Sequence, residues 1–307
     1  MSPAVSVVIP VYNPGTWLLP CLHSVLDQTM TDLEVVVVDD GSTQDLSWVD
    51  QIPDPRVRML RQPNRGVSAA RNAGVSAAAG DWVAFLDQDD RWDADKLALQ
   101  WPGMSESSDA AFHYTGFVWV RDGRREPADH CAVSYQGLLA DQHVCLSSVV
   151  VARTAYLAIG GHDVLLSQMQ DWDLLLRLAL ARPHPVLTPR HLVDYHIHDA
   201  NASHDYATAA AERLGVLDRH AVAARRRGDH ETLAAARAGR RRTQQLFAAK
   251  ALDAARACSR AGDLAGVGRH LTVVARLDPG SLAQAGLRWV GPRATGRRRA
   301  NSGPALR

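Results

Sequence analysis

Three carboxylates, Asp87, Asp89 and Asp90, stand within four residues at the end of an apolar run, WVAFL, at 82–86. Acids this close repel one another. A folded chain tolerates them when a cation sits among them or when a turn opens them to water. The first reading makes a divalent-cation site; the second makes a solvated turn before a helix capped at Asp93. A further acid, Asp171, falls at the first turn of the helical pattern QMQDWDLLLRLALA over 168–181, where both capping and chemistry favour a carboxylate. His196 and His198 alternate onto one face of LVDYHIH at 192–198, as a polar surface pair or as metal ligands.

The elements that must position these groups alternate strand and helix. The run at 82–86 is too continuously apolar for a half-exposed strand and fits one buried on both faces of a parallel sheet. Before it come strand patterns at 5–9, 33–38 and 57–60, separated by helical patterns at 17–26 and 66–79. That order predicts βαβ units with right-handed crossovers. Ligands of such sheets bind at the carboxyl ends of the strands, here 10–13, 39–42 and 87–90. No GxGxxG follows the first strand and no GxxxxGK[ST] occurs anywhere. A carboxylate-held magnesium or manganese ion remains as the means of holding a diphosphate there. Beyond residue 90 the patterns predict helices over 93–101 and 153–159, and strands over 110–120 and 145–151.

The chain has 307 residues, 46% hydrophobic and 22% charged, enough for one large domain and a smaller one. A net charge of +1 gives no reason to expect nucleic acid as a partner. The four cysteines show no CxxC or metal spacing, and no signal-like or membrane-spanning run occurs, so the expected setting is cytoplasmic. From 207 to 277 the sequence is rich in Ala, Arg and Leu, with helix breaks at Gly228–Asp229 and Gly262–Asp263. Residues 252–281 have the form of one degenerate tetratricopeptide-type hairpin, though helices that cap the first domain or mediate self-association explain the region better. The expected organisation is a catalytic domain over 1–205, a helical region over 206–290 and a disordered basic tail over 291–307. Basic clusters at 225–227 and 240–242 would suit peripheral contact with an anionic membrane face.

The segments VSVVIPVYN, EVVVVDDGS, RGVSAARNAG, FLDQDD, GGHD, QDWDLLLRLA and YHIHDANAS stand in the order and spacing of the family 2 inverting glycosyltransferases, which this chain resembles over residues 5–203. The resemblance implies a GT-A fold, a Rossmann-like mixed α/β sheet flanked by helices, here with a C-terminal helical extension. It implies that Asp39 and Arg71 contact the base of a nucleotide-sugar, with Pro10 and Tyr12 shaping that pocket. Asp87 would reach the ribose, Asp89 would bind Mn2+ or Mg2+, His198 would lie beside the metal and diphosphate, and Asp171 would be the catalytic base. Two positions depart from the family pattern. Gln170 replaces the acid that commonly precedes the base, and His196 replaces an arginine, losing a bidentate phosphate fork.

One base and one metal suffice for a single displacement at the anomeric carbon, with a glycan, a lipid-linked molecule or a small molecule supplying the accepting hydroxyl. Two other classes remain open at this point. A sugar nucleotidyltransferase would need a Gly-rich basic loop after the first strand, and none is found. A donor-binding scaffold would not need Asp39, Arg71, Asp87, Asp89 and Asp171 together.

Overall fold

The computed structural model describes residues 2–141, 143–182, 184–198 and 206–280. Its first strand, β1 (Val5–Val11), is buried at every position, as a run of β-branched residues inside a sheet must be. Helix α1 (Leu18–Leu26) covers it with Leu18, Cys21, Leu22 and Val25. Then follow β2 (Leu33–Asp39), β3 (Val57–Arg61), α2 (Val67–Ala77) and β4 (Trp82–Phe85). Two further strands bracket a helix, β5 (Arg91–Trp92), α3 (Lys96–Glu106) and β6 (His113–Arg121). A hairpin adds β7 (Arg124–Pro127), and α4 (Tyr135–Ala140), β8 (Val150–Ala152), α5 (Arg153–Ala158), α6 (Gln170–Ala181) and β9 (Val186–His196) complete the α/β part.

The nine strands found among the described residues form one mixed sheet in the order β3-β2-β1-β4-β8-β6-β9-β5, with β7 paired to β6. The first four are parallel, as the alternating patterns predict. β8 joins β4 antiparallel, and β6 runs parallel to β9 across a register shift near Gly116. This is the GT-A type sheet. Three elements differ from the sequence reading. The stretch read as a strand from 145 is a 3-10 turn, Leu146–Ser148, before β8 begins. β9 starts six residues earlier than its alternation suggests, because 186–191 is half exposed and contains Pro189, yet still pairs with β6. The two-residue β5 is too short to leave a pattern, and it pairs with Asp194 and Val193 of β9.

Packing of α2 on the sheet is close. A Cβ at Gly74 would stand 2.4 Å from the Val8 Cγ1 methyl, so a glycine is what lets this helix reach β1. That closeness brings Arg71, one turn earlier on α2, to the carboxyl end of β4.

The chain divides into two compact units, Met1–Thr243 and the chain from Gln244 onward. The first includes α7 (Tyr206–Arg227) and the beginning of α8 (His230–Ala261). The second contains the rest of α8 and α9 (Leu264–Leu277), which starts where the Asp263 carboxylate accepts a hydrogen bond from the Gly266 N–H. The helix breaks fall at Gly228 and Gly262, both at positive φ, as their sequence suggests. The expected basic tail at 291–307 lies outside the described residues. No helix of the described residues is long and apolar enough to cross a membrane.

Candidate active site

At the carboxyl ends of β1 and β4 lies a cavity of about 670 Å3, within the range of small-molecule sites. Pro10, Tyr12, Arg71, Asp87, Asp89, Asp171 and His198, seven of the eight residues singled out from sequence, line it. Asp39 does not. It ends β2 with its carboxylate accepting the Ser42 N–H at 2.9 Å, and its neighbour Asp40 is the acid on the wall. Asp40 in turn accepts from the backbone N–H groups of Arg65 and Gly66, which fixes the start of α2.

Arg71 is the centre of the site. It is only 2% exposed, and it meets neither Asp40 nor Asp81; its Nη2 contacts Asp87 at 2.5 Å and its Nη1 contacts Asp171 at 2.6 Å. One buried fork thus joins the end of β4 to the first turn of α6. Burial raises the Asp171 carboxyl, but the Arg71 charge and hydrogen bond together with the neighbouring His162 outweigh it and hold Asp171 below the usual carboxylate range. Asp171 is therefore ionised at neutral pH and carries no hydrogen bond to its Oδ2 among the described residues, which leaves that oxygen open to the cavity. His162, in the loop between α5 and α6, places its Nε2 3.4 Å from Asp171 Oδ1.

The acids after β4 divide by environment. Asp90 is buried, accepts the Ser147 hydroxyl at 2.6 Å and the His196 N–H at 3.0 Å, and so ties β4, the turn before β8 and the end of β9 together. Burial and the charges of Asp89 and Asp87 push its carboxyl well up. Asp89 faces the cavity, where burial and Asp87 also raise it, and its Oδ2 lies 2.9 Å from the His198 Nε2. The Trp17 indole stacks on His198 with centroids 4.8 Å apart and planes 17° apart, and tilts against His196. His196 therefore contributes backbone to Asp90 and a ring to Trp17, where the family pattern has an arginine.

Sequence reasoning missed three contributors. His162 lies in the quoted GGHD segment, but nothing in the sequence connects it to residue 171. Glu212 of α7 accepts the backbone N–H groups of Ser167, Gln168 and Met169, at 2.8, 2.8 and 2.9 Å, and so fixes the approach to α6. Ser147 acts through its hydroxyl from a turn that reads as a strand. Only the turn's loop-like polarity, SS at 147–148, could have signalled it.

Comparison with known proteins finds similarity in sequence and in fold. Residues 6–135 match the family described as glycosyl transferase family 2. A glycosyltransferase of Rickettsia felis is 43% identical over 120 residues, covering 38% of this chain and 20% of that protein. The Escherichia coli chondroitin synthase is 29% identical over 198 residues, covering 59% of this chain and 27% of the synthase. The chain thus spans about a fifth to a quarter of these relatives' length. Staphylococcus aureus TarS 1-349, solved in complex with UDP-GlcNAc, superimposes with a TM-score of 0.60 over 93% of this chain and 92% of TarS 1-349, at 17% identity. The fold is of the GT-A type. Over residues 6–135 the chain is similar to glycosyl transferase family 2.

Proposed function

We propose that the protein transfers a sugar from a nucleotide-sugar donor to an acceptor hydroxyl by a single displacement that inverts the anomeric centre. The observation that carries this is the convergence, in one cavity, of an ionised carboxylate with an open oxygen, Asp171, and an acid–imidazole pair, Asp89 and His198. An acceptor hydroxyl is too weak a nucleophile until a positioned carboxylate takes its proton, and Asp171 Oδ2 is the atom for that. Pro10 and Tyr12 at the end of β1 line the part of the cavity where a base would lie. Asp87, anchored by Arg71, is aimed where a ribose would follow. Asp39 supports that region from behind through Ser42.

Among the described residues no three His, Cys, Asp or Glu side chains converge to hold a metal alone. The Asp89 oxygen and His198 nitrogen, 2.9 Å apart, are nevertheless donors of a kind that magnesium or manganese accepts, and such an ion commonly takes its remaining ligands from water and substrate phosphates. Those two residues would hold Mg2+ or Mn2+, which would supply charge neutralisation at the departing diphosphate. The relatives named for glycosyl transfer and the TarS complex with UDP-GlcNAc support this reading of donor class. The helical region after residue 206 would then serve acceptor, self-association or peripheral membrane contact.

The test is calorimetric titration with UDP, GDP and dTDP, each with and without manganese, on the native chain and Asp89→Ala. One nucleotide should bind tightly and lose affinity when either manganese or Asp89 is removed. Absence of binding by all three would leave the scaffold reading in its place.

A further inference from the structure

A salt-bridged carboxylate makes a poor base. Arg71 stabilises the charged form of Asp171, and each step that protonates Asp171 works against that ion pair. The hydrogen-bond pattern behind Asp171 offers the missing proton acceptor.

Three groups surround the phenol of Tyr156. Its Oη lies 2.5 Å from Asn72 Oδ1, 2.8 Å from His162 Nδ1 and 3.2 Å from the His162 backbone N. The Asn72 amide is oriented without ambiguity: Nδ2 donates to the His162 carbonyl at 3.0 Å, and Oδ1 accepts the His162 N–H at 2.9 Å. Asn72 Oδ1 is thus an acceptor, and at 2.5 Å only a proton from Tyr156 can lie between the two oxygens. The phenol has then spent its one proton, so His162 Nδ1 must donate to it. In a neutral imidazole the other nitrogen, Nε2, is then bare. Nε2 is buried and meets no hydrogen-bond donor among the described residues. Its nearest polar neighbour is the carboxylate oxygen of Asp171, at 3.4 Å. Two lone pairs facing each other account for a gap longer than a hydrogen bond, and one added proton would close it.

The charged and titratable groups facing this ring are Asp171 and Arg177 from α6, Arg71 from α2 and Tyr156 from α5. Burial lowers the His162 imidazole, and Arg71 and Arg177 add to that against the opposing charge of Asp171, so the ring is neutral at pH 7. Gly161, at φ +69°, holds the loop in place, since a Cβ there would stand 2.5 Å from Asn72 Oδ1.

We propose that His162 is the positioning residue of an Asp171–His162 dyad, whose Nε2 receives the proton that Asp171 takes from the acceptor hydroxyl. This rests on the glycosyl-transfer reading above. In the step, the acceptor O–H proton passes to Asp171 Oδ2 while the oxygen's electron pair forms the bond to the anomeric carbon. The bond from that carbon to the phosphate oxygen breaks, and its pair leaves with the nucleoside diphosphate. Rotation about the soft terminal torsion of the aspartate turns the new O–H to Nε2. The proton then rests on the imidazole, and Asp171 returns to its ion pair with Arg71. After the products leave, the proton returns from His162 Nε2 through the Asp171 carboxylate to solvent in the cavity.

The decisive experiment is long-range 1H–15N correlation on 15N-histidine-labelled protein at pH 7, with His162 assigned by its loss in His162→Gln. The dyad requires a neutral ring protonated at Nδ1, and in Tyr156→Phe, which removes the acceptor of that proton, a switch to the Nε2–H form. An Nε2–H tautomer or an imidazolium in the native protein overturns the proposal, as does an unchanged tautomer in Tyr156→Phe. A second arm follows UDP release from UDP-sugars. His162→Gln should lower kcat about 10- to 100-fold, in the range of general acid–base effects, with UDP affinity unchanged and the acid limb of the pH profile displaced. Unaltered kcat and profile overturn the dyad. If the native chain releases no UDP, the glycosyl-transfer reading fails, and the tautomer measurement still decides the wiring.

Discussion

Arg71 Nη1 and Asp171 Oδ1 meet at 2.6 Å although the two residues are 100 positions apart in the chain. The contact exists because α2 lies close on β1 and α6 begins where the loop after α5 returns to the sheet. It makes the proposed base and the fold depend on the same pair. Removing the guanidinium in Arg71→Met leaves Asp87 and Asp171 facing each other without a cation. The expected loss is about 3 kcal/mol, at the low end for a broken buried pair because both carboxylates keep some solvent. Urea unfolding measures it, and a loss below the error of that method would mean that the fork carries no net stability.

Asp171→Asn keeps the shape and the Arg71–Asp87 contact but removes the proposed base. UDP release in the presence of an acceptor should fall at least ~100-fold, while UDP binding changes by less than about 2-fold. Equal loss of both would assign Asp171 to donor binding instead.

Glu212 links α7 to the strip before α6. Burial raises its carboxyl, but the N–H groups of 167–169 and the Ser167 hydroxyl outweigh this and lower it below the ordinary value. A depressed acid stabilises the fold above its unfolded value, about 4.3, and that stability is lost as pH falls through the lower folded value. Glu212→Gln should therefore lower stability at pH 7, with the difference from the native chain disappearing in acid. Hydrogen exchange should show faster amides at 167–169, next to the cavity. Protection equal to the native protein's would remove Glu212 from the site's support.

Gly74→Ala tests the packing that delivers Arg71. The added methyl meets the Val8 and Val38 side chains at 2.4 and 3.1 Å. Overpacking of this kind costs about 1–3 kcal/mol, partly offset by a helix-propensity gain of up to ~1 kcal/mol from glycine to alanine. Thermal unfolding should show a net loss together with weaker nucleotide binding, since Arg71 moves with the helix. A more stable variant with native affinity would show that α2 has room to spare.

How far the sequence could be read follows from how each feature is encoded. The parallel core was legible because buried strands leave continuous apolar runs, and Asp87 and Asp89 were legible because they end one. Arg71 was found as a motif residue, but its partners were not, since spacing along the chain says nothing about a contact across 100 positions. His162 and Ser147 act through ring and hydroxyl hydrogen bonds that leave no periodic trace. β5 and the first half of β9 are held by pairing rather than by side-chain alternation, so their strands have no pattern to show.

Trp17 supplies the last prediction. Its ring is parallel to His198 and keeps the imidazole facing Asp89, so the two proposed metal donors are aligned before any ion arrives. An aromatic contact of this kind contributes about 0.5–1.5 kcal/mol, which corresponds to a 2- to 12-fold change in an equilibrium. Trp17→Ala should weaken UDP binding by about that factor when manganese is present and leave the metal-free affinity unchanged, because the lost order is at His198 rather than at the base. Calorimetry with and without manganese separates the two. Equal weakening under both conditions would place Trp17 against the nucleotide itself, and no weakening under either would make the stack incidental to the site.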